Sequence, residues 1–523
     1  MPTRVSGLVS GMDTESLVSA MVSSYTAKVD KYTKQQTKLS WTQEAWKGLN
    51  TKVYGLYTSI SGLRFSSGYS LQKASVSDVT KAKVTANGSA VNGTQKLNII
   101  ASAQTAYMTS ADLSKKYSGT IDSKTELSKL GYDVKDEDGK PVAAKINITT
   151  KDEDGNDKTT ELSLSGNSTV NDLLDGLQKA GINANYDATN HRFYLNSKKT
   201  GTEGDFSVTA APGDENADAL LAAIGLNTQP EGAEERDTTN YATMVKGVDA
   251  KIRLNGVLYT GNSNTFNING LTIEALGVTG DGDENAITVN TQTDTQGLYD
   301  KIKDFLSQYN SVINEITKLY NAESSGGYEP LTDDEKDAMN ETEIEKWETK
   351  IKDSLLRRDS TLSGVMQSMM SAMSGTFTVN GTKVSLASYG IQTLGILNSA
   401  KNEQNAYHID GDEEDENTSG RKDKLMTALS TNPDEVVDFM KQLTTKLYDA
   451  IGEKMTATEL SSAYTIYNDK QMTKQYGDYT SIIKQWEKKV TDKEDFYYQK
   501  FAKMEAKLSE LQSQTSSLTG ILG

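Results

Sequence analysis

Apolar residues recur at alternating steps of four and three near both ends of the chain, and no other feature constrains the fold as tightly. Val18, Val22, Tyr25, Val29, Tyr32, Gln36, Leu39, Gln43 and Trp46 keep the 3.5-residue period of a coiled-coil seam, with glutamine at two seam positions. Trp46, Leu49, Val53, Leu56, Ile60 and Leu63 continue it in a shifted phase. At the far end Ile483, Trp486 and Val490 begin a stripe that resumes through Tyr497, Phe501, Met504, Leu508, Leu511, Leu518 and Leu522. Two steps of four through Lys493, Tyr497 and Phe501 predict a stutter that locally unwinds a supercoil. A helix with a narrow apolar seam cannot bury it alone, so these segments must pair, within the chain or between chains. Polar residues in the seam weaken any one pairing, which suits segments that assemble reversibly or in a defined register.

Two internal segments show a related pattern. Leu298, Ile302, Phe305, Tyr309, Val312, Ile316 and Leu319 keep the beat without a break, and Leu362, Met366, Met369 and Met373 follow Trp347, Ile351 and Leu355. The methionine face reads as helix-packing core rather than an adaptable binding surface. An ordinary helical bundle accounts for these internal helices, but less well for seams at both extreme ends.

Between about residues 75 and 292 the period falls towards two. Lys83–Ala86, Lys96–Ile100, Lys145–Thr149, Phe193–Leu195, Lys251–Leu254 and Ala286–Val289 read as strands, punctuated by Asn92-Gly93, Asp138-Gly139, Asn255-Gly256 and Gly261-Asn262 turns. One helix, Thr169–Ala180, interrupts them, with Thr169 or Asn171 as N-cap and Gly181 as stop. Residues 111–240 hold 24 acidic and 14 basic residues, a net −10 of the chain's −17. This segment reads as an exposed, acidic, β-rich insertion between two halves of a smaller β domain. The expected class is therefore α+β multidomain: terminal coiled-coil helices and a helical bundle carrying nested antiparallel β domains. The expected division is 1–40 terminal helix, 41–77 helical, 78–110 β, 111–240 insertion, 241–292 β, 293–470 helical with a β-hairpin near 376–398, and 471–523 terminal helix.

Composition removes most chemistry. The 523 residues include no cysteine and two histidines, which excludes disulfides and thiolate sites and leaves little imidazole. The acidic balance argues against nucleic acid and anionic membrane as partners. The opening residues do not form a typical secretory signal, and no run of about 18 apolar residues offers a transmembrane helix. Asp152-Glu153-Asp154-Gly155-Asn156-Asp157 resembles a calcium loop, but Asp157 and Ser163 stand where an EF-hand needs glycine and glutamate, so a hairpin turn is expected. Asp136–Gly139 and Gly280–Asn285 read the same way, and the acidic block Asp410–Asn417 reads as a solvated loop. His191 and His408 lack partners at metal or triad spacing and read as surface residues. Asn-x-Ser/Thr sequons, among them those at Asn92, Asn147, Asn167 and Asn380, are at chance frequency. No catalytic residue, cofactor site or metal site is expected.

A family resemblance joins these observations. Val5-Ser6-Gly7-Leu8-Val9-Ser10-Gly11-Met12-Asp13-Thr14 resembles the opening of bacterial flagellar filament-capping proteins (hook-associated protein 2), with Val9 and Met12 replacing the commoner Gly and Leu. Ile268–Ile273 with Ile287–Val289, Phe305–Asn310, Tyr328–Thr332, Trp347 through Asp359, Asn432–Val436 and Phe501 through Leu518 are similar to later family segments, in order. Within the insertion, Thr169–Leu173, Asn185–Ala188 and Ser197–Gly201 resemble a β-rich unit of flagellins and caps. The resemblance implies export through the flagellar channel, an extracellular place at the flagellum tip, and a ring of five or six copies. It also implies flagellin, hook–filament junction proteins and an export chaperone as partners. The terminal helices would be legs on the filament end, with Val18, Val22, Val29, Leu39, Met504, Leu508 and Leu511 as expected oligomer or filament contacts. The alternatives are a junction protein or flagellin-like component, or an adhesin binding host mucin or glycans through the insertion.

Overall fold

The computed structural model describes residues 10–117, 119–230 and 235–522, so Val5–Val9 of the opening motif lie outside the described residues. The chain divides into two compact units, Ser70–Asp294 and the remainder on both sides of it. The class is the expected one: helices frame a set of antiparallel sheets.

The first helix, α1 (Thr14–Ile60), starts where the Asp13 side chain accepts from the Ser16 backbone N–H. It continues past residue 40, where a boundary between terminal helix and helical part was expected, because the shifted phase at Trp46 moves the seam without breaking it.

Within Ser70–Asp294 a five-stranded antiparallel sheet runs in the order Gln72–Val76, Ile287–Thr293, Gly93–Ala101, Ala250–Leu254, Val257–Gly261. A three-stranded sheet of Thr265–Ile268, Leu271–Ala275 and Ala82–Ala86 shares its core, built on Leu97, Ile99, Ile252, Ile273 and Val289. The Asn255-Gly256 pair makes the expected hairpin, both residues at positive φ (48° and 83°). Gln72–Val76 was assigned to the helical part 41–77 but is a strand, paired through Gln72 with Thr293. Its apolar content is too low for the alternation to register in sequence.

The inserted module has its own core around Leu113, Tyr132, Ile146, Leu173, Phe193 and Ile224. It contains two helices, α2 (Val170–Lys179) and α3 (Ala217–Ile224). Thr169 caps α2 through a capping box with Asp172, and Gly181 (φ 98°) follows it, as expected. Its four-stranded sheet runs Thr243–Val245, Thr105–Thr109, Arg192–Thr200, Ile182–Asp187. The expected limits of 111–240 are therefore too narrow. Thr105–Thr109 and Thr243–Val245 pair with the module rather than with the smaller β domain, and a Gln104–Val248 bridge lies beyond them. The limits were set by a change in charge, and these two strands carry none.

The other unit resumes with α4 (Thr295–Tyr320), α5 (Asp333–Asp337), α6 (Glu341–Lys352) and α7 (Ser360–Met373). Then come α8 (Lys424–Thr431), α9 (Pro433–Lys454) and α10 (Asp469–Leu522). On α4 the expected stripe from Leu298 to Ile316 is buried, and Leu306 and Ile313 are buried beside it. The buried face is wider than a coiled-coil seam, so this helix is bundle core. Leu362, Met369 and Met373 of α7 are buried with it, which makes the methionine face core. A hairpin, Phe377–Val379 with Thr382–Val384, turns at Asn380-Gly381 inside the expected 376–398 stretch.

Candidate functional site

The two terminal seams meet each other. α10 runs antiparallel to α1, as the order of contacts shows: Trp46 stacks on Tyr467 (centroids 5.5 Å, planes 9° apart), Tyr32 meets Tyr479 at 6.3 Å, and Tyr25 meets Trp486 at 6.4 Å. The Ser10 hydroxyl donates to the Glu505 carboxylate at the far end. Between the aromatic pairs, Gln36 Nε2 donates to Thr480 Oγ1 (2.6 Å) and to the Tyr476 carbonyl (3.2 Å). A glutamine in the seam thus finds partners across it, which sets the register that an apolar seam alone would leave slippery. At the base, Asn50 holds the chain entering α10: its Oδ1 accepts from the Ile466 N–H and its Nδ2 donates to the Tyr464 carbonyl.

This pairing does not bury the seams evenly. On α1, Val18 and Val22 are buried, then nothing is fully buried until Trp46, and Leu49, Val53, Leu56 and Ile60 follow. Val29 and Leu39 are half-buried, as are Met504 and Leu508 on α10. Leu511 is exposed to 57 %. Of the expected contact residues, two are thus covered within the chain, four are half-covered, and one faces solvent. The middle of the pair keeps an apolar stripe of Tyr25, Val29, Tyr32 and Leu39 in partial contact with water. Sequence reasoning missed Tyr467, two residues before α10, and Tyr479 on it, whose rings meet Trp46 and Tyr32. They lie upstream of Ile483, where the apolar stripe was taken to begin; the 25 tyrosines in the chain were the available signal.

Side braces flank the pair. Lys34 of α1 reaches Glu335 (2.7 Å), and the Lys34 ammonium together with the Thr332 N–H holds that carboxyl below the usual range. Asp30 on the same face is pushed upward, by burial first and by the nearby Asp334 and Glu335 carboxylates.

The acidic block 410–417 is only in part the solvated loop expected: Glu413, Glu414, Glu416 and Asn417 are exposed, but the rest is drawn inward. Asp410 is buried, and its carboxylate accepts from Arg421 (2.8 Å) and Gln392 (3.1 Å). Lys303 of α4 inserts between Asp412 (2.8 Å) and Glu414 (2.6 Å). Burial opposes the Lys303 charge, but the two carboxylates outweigh it and raise its pKa. His408, expected at the surface, is mostly covered, with Nδ1 2.6 Å from Asp415. The short bridge Ile391–Gln392 with His408–Ile409 draws the block inward, a pairing invisible in a run of like charge. The Asp152–Asp157 stretch is the expected hairpin turn: Lys151 pairs with Asp157, and Asp152 Oδ1 accepts from the Asp154 and Asn156 N–H groups. His191 is half-buried at a left-handed turn position (φ 53°). Among the described residues no group of three or more acidic or histidine side chains is placed to hold a metal, and no helix is long and apolar enough to cross a membrane.

A family model for the C-terminus of flagellar hook-associated protein 2 matches residues 247–513, and the corresponding N-terminal model matches 10–106. The chain belongs to the flagellar hook-associated protein 2 family. The stretch between the two matched segments of this hook-associated protein 2 chain coincides with the inserted module. The flagellar hook-associated protein 2 of Halalkalibacterium halodurans is 22 % identical over 555 residues, covering 98 % of this chain and 99 % of that one. The A-type flagellar hook-associated protein 2 of Pseudomonas aeruginosa is 25 % identical over 330 residues, covering 61 % of this chain and 63 % of its own. Among solved structures, the D1-D2-D3 domains of the Escherichia coli flagellar cap protein FliD align at TM-score 0.49 and 20 % identity, covering 78 % of this chain and 96 % of that one.

Proposed function

We propose that this chain is a structural cap at the distal end of the bacterial flagellar filament, where it retains exported flagellin and promotes its folding and polymerisation. Family membership supports the cap. The observation that carries the mechanism is the incompletely buried seam of the α1–α10 pair. A leg that completed its own core would have nothing to offer a filament end. A leg that left its whole seam bare would aggregate. A pair with a half-covered apolar stripe and a polar layer at Gln36 makes contacts weak enough to exchange as each flagellin subunit adds. Val29, Leu39, Met504, Leu508 and Leu511 are the contact residues this reading selects, while Val18 and Val22 hold the two helices together.

The cap works as a ring of identical subunits outside the cell, above the junction proteins, and reaches the tip after release from an export chaperone. No bond is made or broken, so the reading needs no catalytic group. Removing residues 1–40 tests it. Strains carrying only the truncated chain should release unpolymerised flagellin into the medium and build no filament, while the β unit of the truncated protein stays folded. Normal filaments from that strain would sink the assignment.

A further inference from the structure

The chain has five Asn-Gly pairs, at Asn87, Asn92, Asn255, Asn269 and Asn380. In such a pair the glycine nitrogen can attack the asparagine side-chain amide, because no Cβ stands in its way. Attack requires the side chain to swing and the backbone to leave its turn, so hydrogen bonds at either residue hold the reaction back. Four of the pairs are held. The Asn87 Oδ1 accepts from the Ser89 N–H (2.9 Å) and hydroxyl (2.6 Å). Asn92 Nδ2 donates to Thr293 Oγ1 at 3.1 Å. Asn255 is tied at both side-chain atoms: its Oδ1 accepts from the Lys96 N–H (3.0 Å) and its Nδ2 donates to Gln95 Oε1 (3.3 Å). At Asn269 the next residue is tied instead, since the Gly270 carbonyl accepts from the Asn87 N–H at 2.8 Å.

Asn380-Gly381 differs in each respect. Both residues are exposed, and nothing lies within 4 Å of the place a Gly381 Cβ would take. Among the described residues no hydrogen bond holds the Asn380 side chain or the Gly381 N–H. Their hairpin, Phe377–Val379 with Thr382–Val384, has no third strand beside it, and two strands alone are marginally stable in water. Its ties to α9 are at the end away from the turn: Phe377 meets Phe439 edge to face at 5.7 Å, and Gln442 Nε2 donates to the Thr378 carbonyl. The tip can open while that end stays docked.

We propose that Asn380-Gly381 is a site of spontaneous modification by water, the pair among the five that the fold leaves free to convert to aspartate and isoaspartate. The Gly381 nitrogen bonds to the Asn380 Cγ, and its proton departs with the side-chain nitrogen as ammonia. Water then opens the cyclic imide. Addition at Cγ restores the main chain and leaves aspartate; addition at the main-chain carbonyl leaves Gly381 linked through Cγ, as isoaspartate. Either product puts a carboxylate where an amide stood. Isoaspartate also adds a backbone carbon to a turn built for two residues, so Thr378 and Lys383 lose their pairing. The inference is independent of the cap reading.

Incubating the intact, folded chain in mildly alkaline buffer made with water labelled in heavy oxygen tests it. Peptide mapping should find the label at Asn380 about tenfold sooner than at any other Asn-Gly pair, with aspartate and isoaspartate both present. In urea the five pairs should react at similar rates, because the fold no longer separates them. Asn380→Asp should release no ammonia over the period in which wild type releases its first equivalent. An unreactive Asn380, a held pair reacting first, aspartate without isoaspartate, or an equal lead for Asn380 in urea would each overturn the proposal. Hydrogen exchange over residues 377–384 should be faster in the isoaspartyl form, separated by ion exchange, and unchanged exchange would overturn the loss of register.

Discussion

Glu348 shows how a single carboxylate can be read in structure and not in sequence. In the sequence it is one of many glutamates on a charged helix; in the fold its side chain is only 15 % exposed and lies between Lys336 (3.1 Å) and Lys352 (3.2 Å). Burial raises its pKa, the two lysines lower it, and the lysines prevail, so the folded value is below the usual one of 4.5. A depressed folded pKa contributes stability that is complete above the unfolded value and lost as pH falls through the folded one. Glu348→Gln should therefore destabilise the helical unit at pH 7, and the gap from wild type should narrow at acid pH, as the folded-state carboxylate takes up its proton. Urea denaturation of both proteins at neutral and acid pH measures this; a gap that persists in acid would show that packing rather than charge is responsible. Asp410 teaches the same lesson from the other side. A run of like charge suggested solvent, whereas the Arg421 and Gln392 partners that bury it arrive from segments no local pattern connects.

At the scale of elements, what was legible was what is local. The α2 capping box, the Asn255-Gly256 hairpin and the seam periods all depend on residues within a few positions of one another, and the structure has them where expected, whereas Asn92-Gly93 joins strands of two different sheets and is not a hairpin. What was not legible depends on partners: which strand joins which sheet, and which face of α1 meets α10. Gly270 separates the two kinds of information. It and Gly256 occupy equivalent positions in Asn-Gly turns, at φ 78° and 83°. Left-handed backbone costs a residue with a side chain roughly 1–2 kcal/mol, and Gly256→Ala should lose about that much. A Cβ at Gly270 would in addition lie 2.4 Å from the Ala90 backbone nitrogen, whereas nothing is within 4 Å at Gly256. Gly270→Ala should be clearly the more damaging in chemical denaturation of the β unit, and equal losses would mean that the neighbouring segment yields at no cost. Gln36 gives the converse case in the leg pair. Thr480 also donates to the Tyr476 carbonyl (3.0 Å), so Gln36→Leu strands no donor there. The leucine should strengthen the α1–α10 pair by on the order of 1 kcal/mol, raising the thermal midpoint of the helical unit. If exchange of weak contacts matters to the cap, the same variant should slow filament growth in motile cells, and growth at the wild-type rate would count against that mechanism.

For the whole molecule, the decisive feature is that one unit is threaded into the other by two adjacent strands. The chain enters the β unit at Ser70 and leaves at Asp294, and there the ends are held side by side: Gln72 pairs with Thr293, and the Asp294 N–H donates to the Leu71 carbonyl at 2.9 Å. An insertion whose ends meet places no stretch on its host, which is why the seam period can resume at Leu298 as though nothing intervened. The sequence reading arrived at this nesting from a shift in period and charge, and misplaced its joints, where the short strands Gln72–Val76, Thr105–Thr109 and Thr243–Val245 carry too little pattern to show which core they join. Each unit has a core of its own, so residues 70–294 expressed alone should fold cooperatively with a circular dichroism spectrum dominated by β structure. The remainder, with a short Gly-Ser link from Tyr69 to Thr295, should be strongly helical, and the intact chain should melt in two transitions matching those of the pieces. An isolated β unit that binds hydrophobic dyes and lacks a melting transition would mean that its core is completed by the helical unit. Two independent transitions would mean that the α1–α10 pair can loosen and re-form without unfolding the β unit.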